Sequence, residues 1–465
     1  MKLTFSISIF LSFTLGFIFL FFQNIIPVNE TVLSWEFIIY YILVLNTLWI
    51  SAGKRLTPFI LFYLTFGLFI GGRFFAVGFG YNESIFAPTF FWDYYVDDVR
   101  KIEIMRYVIG FILMSMIGYV LSKGIKLGKL KKLDFRISNF TIKELNNFLK
   151  LCFPLFLITT LYYSGTDLIR VIKGGYLALY LGRQTESYAV GASIILAMNS
   201  AFFGIALGYG DQKNKNKYLF LFIIRAIIDV IIGSRRSFGA MLLVFLWLWS
   251  EKKKISFKKI SFFILLSFSI LLIVASFSLR AISPNSNMLD SNQLIYSFLY
   301  SQGITLMVFD SSRLITDYPV IGYFNSVFPG TNLLYSQLTF KTLFPKDIGW
   351  SNWMCYQFNP EYFESGAGLG WSLLSDIYLY SGRIFPFFLI LSSTWALFIG
   401  IWERIAKYSR FMNAWMFMVI MPIVIIPRAS LGSIIPQVYY LLLFFLILLF
   451  FVQLKCRYQM LKRYD

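Results

Sequence analysis

The chain has 465 residues, of which 58% are hydrophobic, 20% aromatic and only 14% charged. That is too apolar for a soluble globule, and the apolar runs are of bilayer length, so the expected fold is all-α and polytopic in a membrane. A net charge of +19 could suggest nucleic acid, but much of it is loop lysine placed where it sets topology and meets anionic lipid, so membrane lipids are the expected partner and nucleic acid is not.

Taken in chain order, about twelve spans of roughly 20 apolar residues are predicted. They lie near 4–24, 33–50, 58–77, 104–121, 148–164, 190–207, 218–232, 238–249, 261–279, 384–401, 412–426 and 434–452. Lys2 before the first run resembles a signal peptide, yet no small-residue cleavage site follows, so this run reads as a retained span. Cutting the chain at the runs places 20 of its 24 lysines on one side. By the positive-inside rule that side is the cytoplasm, and both termini then lie there. Eleven of the 18 arginines fall on the other side or in the outer half of the membrane. Three regions result: 1–279 with the first nine spans, 280–383 as one long periplasmic loop, partly helical, and 384–465 with the last three spans and a cytoplasmic tail. An apolar pattern from Leu294 to Leu314 suggests a helix at the interface within that loop.

Guanidinium groups hold phosphate through planar, bidentate hydrogen bonds, so outward arginines point to an anionic lipid head group. From Lys217 to Lys252 the chain must cross and return in about 35 residues, short for two full spans. The turn Gly233-Ser234-Arg235-Arg236-Ser237 is therefore expected below the outer surface, in a protein-lined cavity; snorkelling to lipid phosphates is the plainer alternative. Arg428 takes an equivalent position in Pro427-Arg428-Ala429-Ser430, with Pro422, Pro427 and Pro436 breaking the helices around it. Broken helices at membrane depth line cavities, so both turns could face one site, to which Arg280 and Arg313 could add. Arg225 and Asp229, spaced i,i+4 in the seventh span, read as an ion pair sooner than as a proton relay.

Late in the long loop, Glu361 and Glu364 precede Gly366-Ala367-Gly368-Leu369-Gly370-Trp371. No strand precedes these glycines, so they form a turn into a helix and not a dinucleotide site. Asp376, about one and a half turns into that helix, is the first candidate to take a proton from a hydroxyl and Glu364 the second; a solvated surface acid is the alternative. Trp350, Trp353, Tyr356 and Trp371 suit sugar faces, and equally a membrane-interface belt. Cys152, Cys355 and Cys456 lie too far apart in the topology to pair. With no histidine, no Walker motif and no compact carboxylate pair, neither a metal nor a cofactor is expected, and any reaction must draw its energy from the substrate.

Several of these segments resemble the O-antigen polymerases of the Wzy class. They are Gly233-Ser234-Arg235-Arg236 opening a span, Ser301-Gln302-Gly303, Gly368-Leu369-Gly370-Trp371-Ser372 through Asp376 and Tyr378, and Pro427-Arg428-Ala429-Ser430-Leu431. The topology, with its long outer loop between late spans, is similar over nearly the whole chain. The resemblance implies that Arg235 or Arg236, together with Arg428, holds a lipid diphosphate, and that an acidic residue belongs at Asp376. It implies a fold resembling the GT-C-like lipid-linked glycan transferases, and a metal-independent, inverting glycosyltransferase of the bacterial inner membrane. Such a polymerase would move a growing glycan from undecaprenyl diphosphate onto a new lipid-linked repeat unit at the periplasmic face, and a chain-length regulator protein is a partner it admits. The related O-antigen ligases depend on an outer-loop histidine that is missing here. A flippase or other transporter for lipid-linked oligosaccharide is the rival reading, weakened because no paired halves are visible and the charge gathers at the outer rim.

Overall fold

The computed structural model describes residues 2–22, 28–88, 95–126, 139–174, 190–232, 235–252, 262, 266, 269 and 291–461, apart from 329, 341, 342 and 367. Every regular element among them is helical. The first group is α1 (Lys2–Phe22), α2 (Glu30–Ser51), α3 (Pro58–Phe69), α4 (Gly72–Gly78), α5 (Asp98–Gly124), α6 (Asn139–Gly174), α7 (Val190–Tyr209), α8 (Gln212–Ile232) and α9 (Arg235–Lys252). A run of short helices follows: α10 (Ser291–Gln302), α11 (Thr305–Leu314), α12 (Val320–Asn325), α13 (Thr331–Thr339), α14 (Pro345–Ile348), α15 (Trp350–Phe358), α16 (Pro360–Glu364) and α17 (Leu373–Tyr380). The chain ends with α18 (Phe385–Ala406), α19 (Arg410–Ile425) and α20 (Ile435–Leu461), with single 3-10 turns at Ile426–Arg428 and Leu431–Ser433 between the last two.

Helices overlie all the predicted spans except the ninth, 261–279, which lies almost wholly outside the described residues. Among the described residues, five segments are long and apolar enough to cross a membrane: α2, α5, Ile142–Gly174 of α6, α18, and Arg410–Arg428. A sixth arises if α3 and α4, bent by 56° at their junction, are one broken span. Shorter apolar helices cover Phe5–Phe21, Ser237–Glu251 and Phe445–Lys455. Phe10, Phe13 and Phe17 of α1 and Leu443, Leu446 and Phe450 of α20 stand exposed. Lipid tails suit such an apolar outer face; water does not.

The centre of the molecule is α3. Pro58 at its first position and Thr57, whose hydroxyl accepts from the Ile60 amide, start it. Its twelve residues are apolar on every side, which is the pattern of a helix surrounded by protein. Tyr63 stacks on Tyr41 of α2 at 4.8 Å, while Phe59 and Phe66 stack on Tyr119 and Phe111 of α5 at 4.4 Å and 4.9 Å. At one end Glu403 of α18 accepts from the Phe59 amide at 2.7 Å and from the Tyr119 hydroxyl at 2.8 Å, with Lys123 at 3.3 Å. A carboxylate there meets the orphan amides and positive dipole of the helix start. At the other end the bend brings α4 against α10 so closely that a Cβ on Gly72 would lie 2.4 Å from the Leu299 carbonyl oxygen, and one on Gly303 would lie 2.3 Å from the Arg73 nitrogen. Only glycine fits at such a crossing.

Candidate active site

Local sequence sets the position of Asp376. Gly370, at φ 83°, supplies a left-handed turn that other residues resist. Ser372 then caps α17, its hydroxyl accepting from the Ser375 amide at 3.0 Å. This places Asp376 in the first turn of α17 with no exposed surface. Its Oδ1 accepts from the Trp371 indole N–H at 2.6 Å, and its Oδ2 accepts from the Leu431 amide at 2.5 Å. Burial pushes its pKa up to about 7, while the Leu431 and Trp371 donors pull it down. The expected hydroxyl-facing acid is thus a buried tie between two segments. Neither of its oxygens is offered to solvent.

The segment it ties is the one that carries Arg428. Leu431 follows Arg428 by three residues, and Arg428 ends the 3-10 turn Ile426–Arg428. Its Nη1 donates to Gln302 Oε1 at 3.4 Å, and its guanidinium lies 5.8 Å from the Phe69 ring of α3. Just before this turn the Thr65 hydroxyl donates to the Val424 carbonyl at 2.5 Å, which fixes the end of α19 on α3. Three segments far apart in sequence therefore converge: Ser301-Gln302-Gly303, Gly368 to Asp376, and Pro427 to Leu431.

Four other arginines act as struts. Arg100 makes a bidentate pair with the buried Asp310, Nε to Oδ1 at 2.9 Å and Nη2 to Oδ2 at 2.7 Å. Arg313, a candidate for diphosphate from sequence, donates to Glu103, lies 3.8 Å from Asp310 and covers the Tyr107 ring at 4.9 Å. Arg73, 4% exposed, donates to the carbonyls of Ile85 at 2.8 Å and Ala87 at 2.7 Å and lies 4.5 Å from the Tyr300 ring. Arg383 donates to the Thr316 carbonyl. Arg235 and Arg236 are the first residues of α9, but their side chains lie outside the description, as does the whole of Arg280. Neither the pairings of Arg73, Arg100 and Arg383 nor the contact of Gln302 with Arg428 is legible in local sequence. The one legible signal was the i,i+3 spacing of Asp310 and Arg313; Glu103 and Arg313 stand 210 residues apart.

The aromatic candidates divide. Trp350 and Trp371 are buried, and they pack with Tyr318, Tyr323 and Tyr380 at ring separations from 4.6 to 6.4 Å. Trp353 and Tyr356 are half-buried neighbours on α15, with the Lys346 ammonium 3.7 Å above the Tyr356 ring. Glu364 is exposed at the end of α16. Among the described residues no group of three or more histidine, cysteine or acidic side chains is placed to hold a metal ion. Arg225 and Asp229 on α8 close no salt bridge among the described residues, although the Arg225 charge acts on the Asp229 carboxylate; Asp229 Oδ2 is buried without a hydrogen-bond partner among the described residues, and Arg225 lines a cavity.

Residues 4–459 match the family model described as O-antigen polysaccharide polymerase Wzy. No curated protein and no solved structure matches the chain. Because the matched residues run through the spans and through all three converging segments, the chain belongs to the O-antigen polysaccharide polymerase Wzy family, multi-pass bacterial membrane proteins that act on lipid-linked oligosaccharide repeat units.

Proposed function

We propose that the protein is a metal-independent, inverting polymerase that works at the periplasmic face of the inner membrane, with twelve spans of GT-C-like character and both termini in the cytoplasm. The donor is the growing glycan on undecaprenyl diphosphate, and the acceptor is a hydroxyl of a new lipid-linked repeat unit. The acceptor oxygen forms its bond to the anomeric carbon as the bond to the diphosphate breaks, and the electron pair leaves with the diphosphate. Arg428, Arg235 and Arg236, with Arg280, stabilise the charge that develops there, a preorganised electrostatic role that is commonly the largest catalytic contribution. Glu364, the exposed carboxylate, takes the proton of the attacking hydroxyl. Asp376 serves by positioning, because its oxygens already hold Trp371 and the segment after Arg428. Arg313 belongs with the struts. Trp353 and Tyr356 offer ring faces to the glycan.

The convergence of Gln302, Asp376 and the Arg428 turn carries this reading, because it puts the motifs quoted for the family on one another from distant parts of the chain. Gene loss tests it. A polymerase acts after the repeat unit is flipped and before the glycan passes to its final acceptor. Its loss in a Gram-negative cell should leave lipopolysaccharide capped with a single unit. A bare acceptor without a single-unit band would overturn the assignment in favour of a flippase or a ligase. Activity of the purified protein should survive EDTA, and a strict need for Mg²⁺ would refute metal independence.

A further inference from the structure

A cavity of about 470 Å³ lies among α6, α7, α8, α9, α19 and α20, within the roughly 300–1,000 Å³ typical of ligand pockets. It runs along α8 from Tyr218 to Arg225 and along α19 from Phe417 to Ile425, about 10–12 Å of helix at 1.5 Å per residue. Its two ends differ in chemistry. Towards the outer helix ends it is lined by Arg225, Ser237 and Gln437; deeper in, by rings and thioethers such as Phe222, Phe417 and Met418, while Thr160, Asn199 and Ser200 add hydroxyl and amide groups to the wall formed by α6 and α7. The outer end lies directly beneath the candidate site. Ser237 follows Arg236 in the first turn of α9, Ile425 precedes Arg428 by three residues, and Gln437 is in the first turn of α20.

Arg225 stands seven residues inside the end of α8, about 10 Å below it. A guanidinium at that depth is costly unless an anion meets it, and Asp229, one turn further along α8, acts on it by charge without closing a salt bridge among the described residues. The Gln437 side-chain oxygen is buried without a hydrogen-bond partner among the described residues, and its amide can turn either a donor or an acceptor to a ligand. Its apolar wall is made of aromatic and flexible methionine side chains, which adapt to a branched hydrocarbon. A phospholipid would bring two chains side by side, where an isoprenoid brings one. A single-chain isoprenoid with a phosphate head fits both ends.

We propose that this cavity holds the lipid end of one lipid-linked substrate, with a phosphate of a polyisoprenyl diphosphate on Arg225 and its first isoprene units against Phe222, Phe417 and Met418. The inference rests on the polymerase reading and extends it by assigning the carrier's seat, with the second phosphate placed towards the arginine turns above.

The test uses the full-length protein in nanodiscs, with undecaprenyl diphosphate lacking any sugar as the probe. The wild type should bind it, Arg225→Gln should bind at least tenfold more weakly with an unchanged melting temperature, and Arg225→Lys should recover part of the loss. In an otherwise unaltered chain, p-benzoylphenylalanine in place of Met421, another lining residue, should crosslink the isoprenoid. Excess undecaprenyl diphosphate should displace that adduct, and phosphatidylglycerol should not. Phospholipid adducts alone, or full affinity in Arg225→Gln, would overturn the assignment while leaving the polymerase reading in place. Should Arg225→Gln fail to fold, the crosslink decides alone. Failure of the wild type to bind the probe at all would overturn the carrier reading, and this inference with it.

Discussion

At Asp376, burial and hydrogen bonding pull in opposite directions, and burial prevails far enough to bring the group to about pH 7. A carboxyl whose folded pKa stands above the ordinary 3.8 keeps its proton longer in the native state. Its contribution to stability is therefore complete below about pH 4 and is lost as pH rises through about 7, by up to about 1.4 kcal/mol per pH unit in between. Asp376→Asn cannot ionise, so melting temperature should fall less steeply with pH in the variant than in the wild type between pH 5 and 7. Equal slopes would show that another group titrates. The variant should also start lower, because an amide NH₂ faces Trp371 or Leu431 where an acceptor is needed, a penalty of about 1–3 kcal/mol. Arg428 poses a different question. If it grips diphosphate as a fork, Arg428→Lys should shorten the glycan ladder nearly as much as Arg428→Ala at normal protein level; full-length ladders from the lysine variant would remove Arg428 from the mechanism. Both residues were legible in sequence, Asp376 by its place after a glycine turn and Arg428 by its proline-flanked turn. Their relation was not legible, because the link runs through a backbone amide, and every residue but proline offers one.

Helix α3 was legible at once as an apolar run, but its break was not. The run continues through Ile70 and Gly71 into α4, and hydropathy is blind to a 56° bend. The bend is a packing feature: α4 leaves the axis of α3 to lie on α10, and Gly72 and Gly303 let the two backbones touch. Gly303→Ala would place its methyl 2.3 Å from the Arg73 nitrogen, which is backbone and cannot step aside. The variant should lose several kcal/mol of stability, and Gln302, one residue away, should lose its register with Arg428. The check is thermal melting of the purified protein alongside glycan ladder length, and an unchanged melting temperature with normal ladders would show that α10 can shift without consequence. The short helices between 291 and 380 were legible only in part, because each buries a patch smaller than a helical period needs to declare itself. The expected helix from Leu294 to Leu314 proves to be α10 and α11, broken at Gly303 and Ile304.

Across the whole molecule, two polar layers stand at opposite ends of α5. Near its start Arg100 pairs with Asp310, and near its end Lys123 meets Glu403. The 23 residue-to-residue steps from Arg100 to Lys123 span about 35 Å at 1.5 Å each, slightly more than a bilayer's hydrocarbon core of about 30 Å. The Lys123 end also holds the Glu403 cap on α3, and the candidate site lies at the α3 end away from it, beyond Phe66 and Phe69. Packing thus sets Lys123 and Glu403 at one end of α5 and Arg100 and Asp310 at the other, and that the Lys123 end faces the cytoplasm is the expectation of the positive-inside rule. Reporter fusions test that direction. Fusions after Gly210, at the end of α7, and after Lys254, past the end of α9, should read cytoplasmic. Fusions at Ser234, between α8 and α9, and at Gly330, among the short helices, should read periplasmic. The helix ends bind these outcomes together, since α8 and α9 are joined by only residues 233 and 234 and must return the chain to the side it came from. A cytoplasmic signal at Gly330 would place Arg428 and its neighbours on the inner face, where no flipped repeat unit is available, and the polymerase geometry proposed above would be inverted.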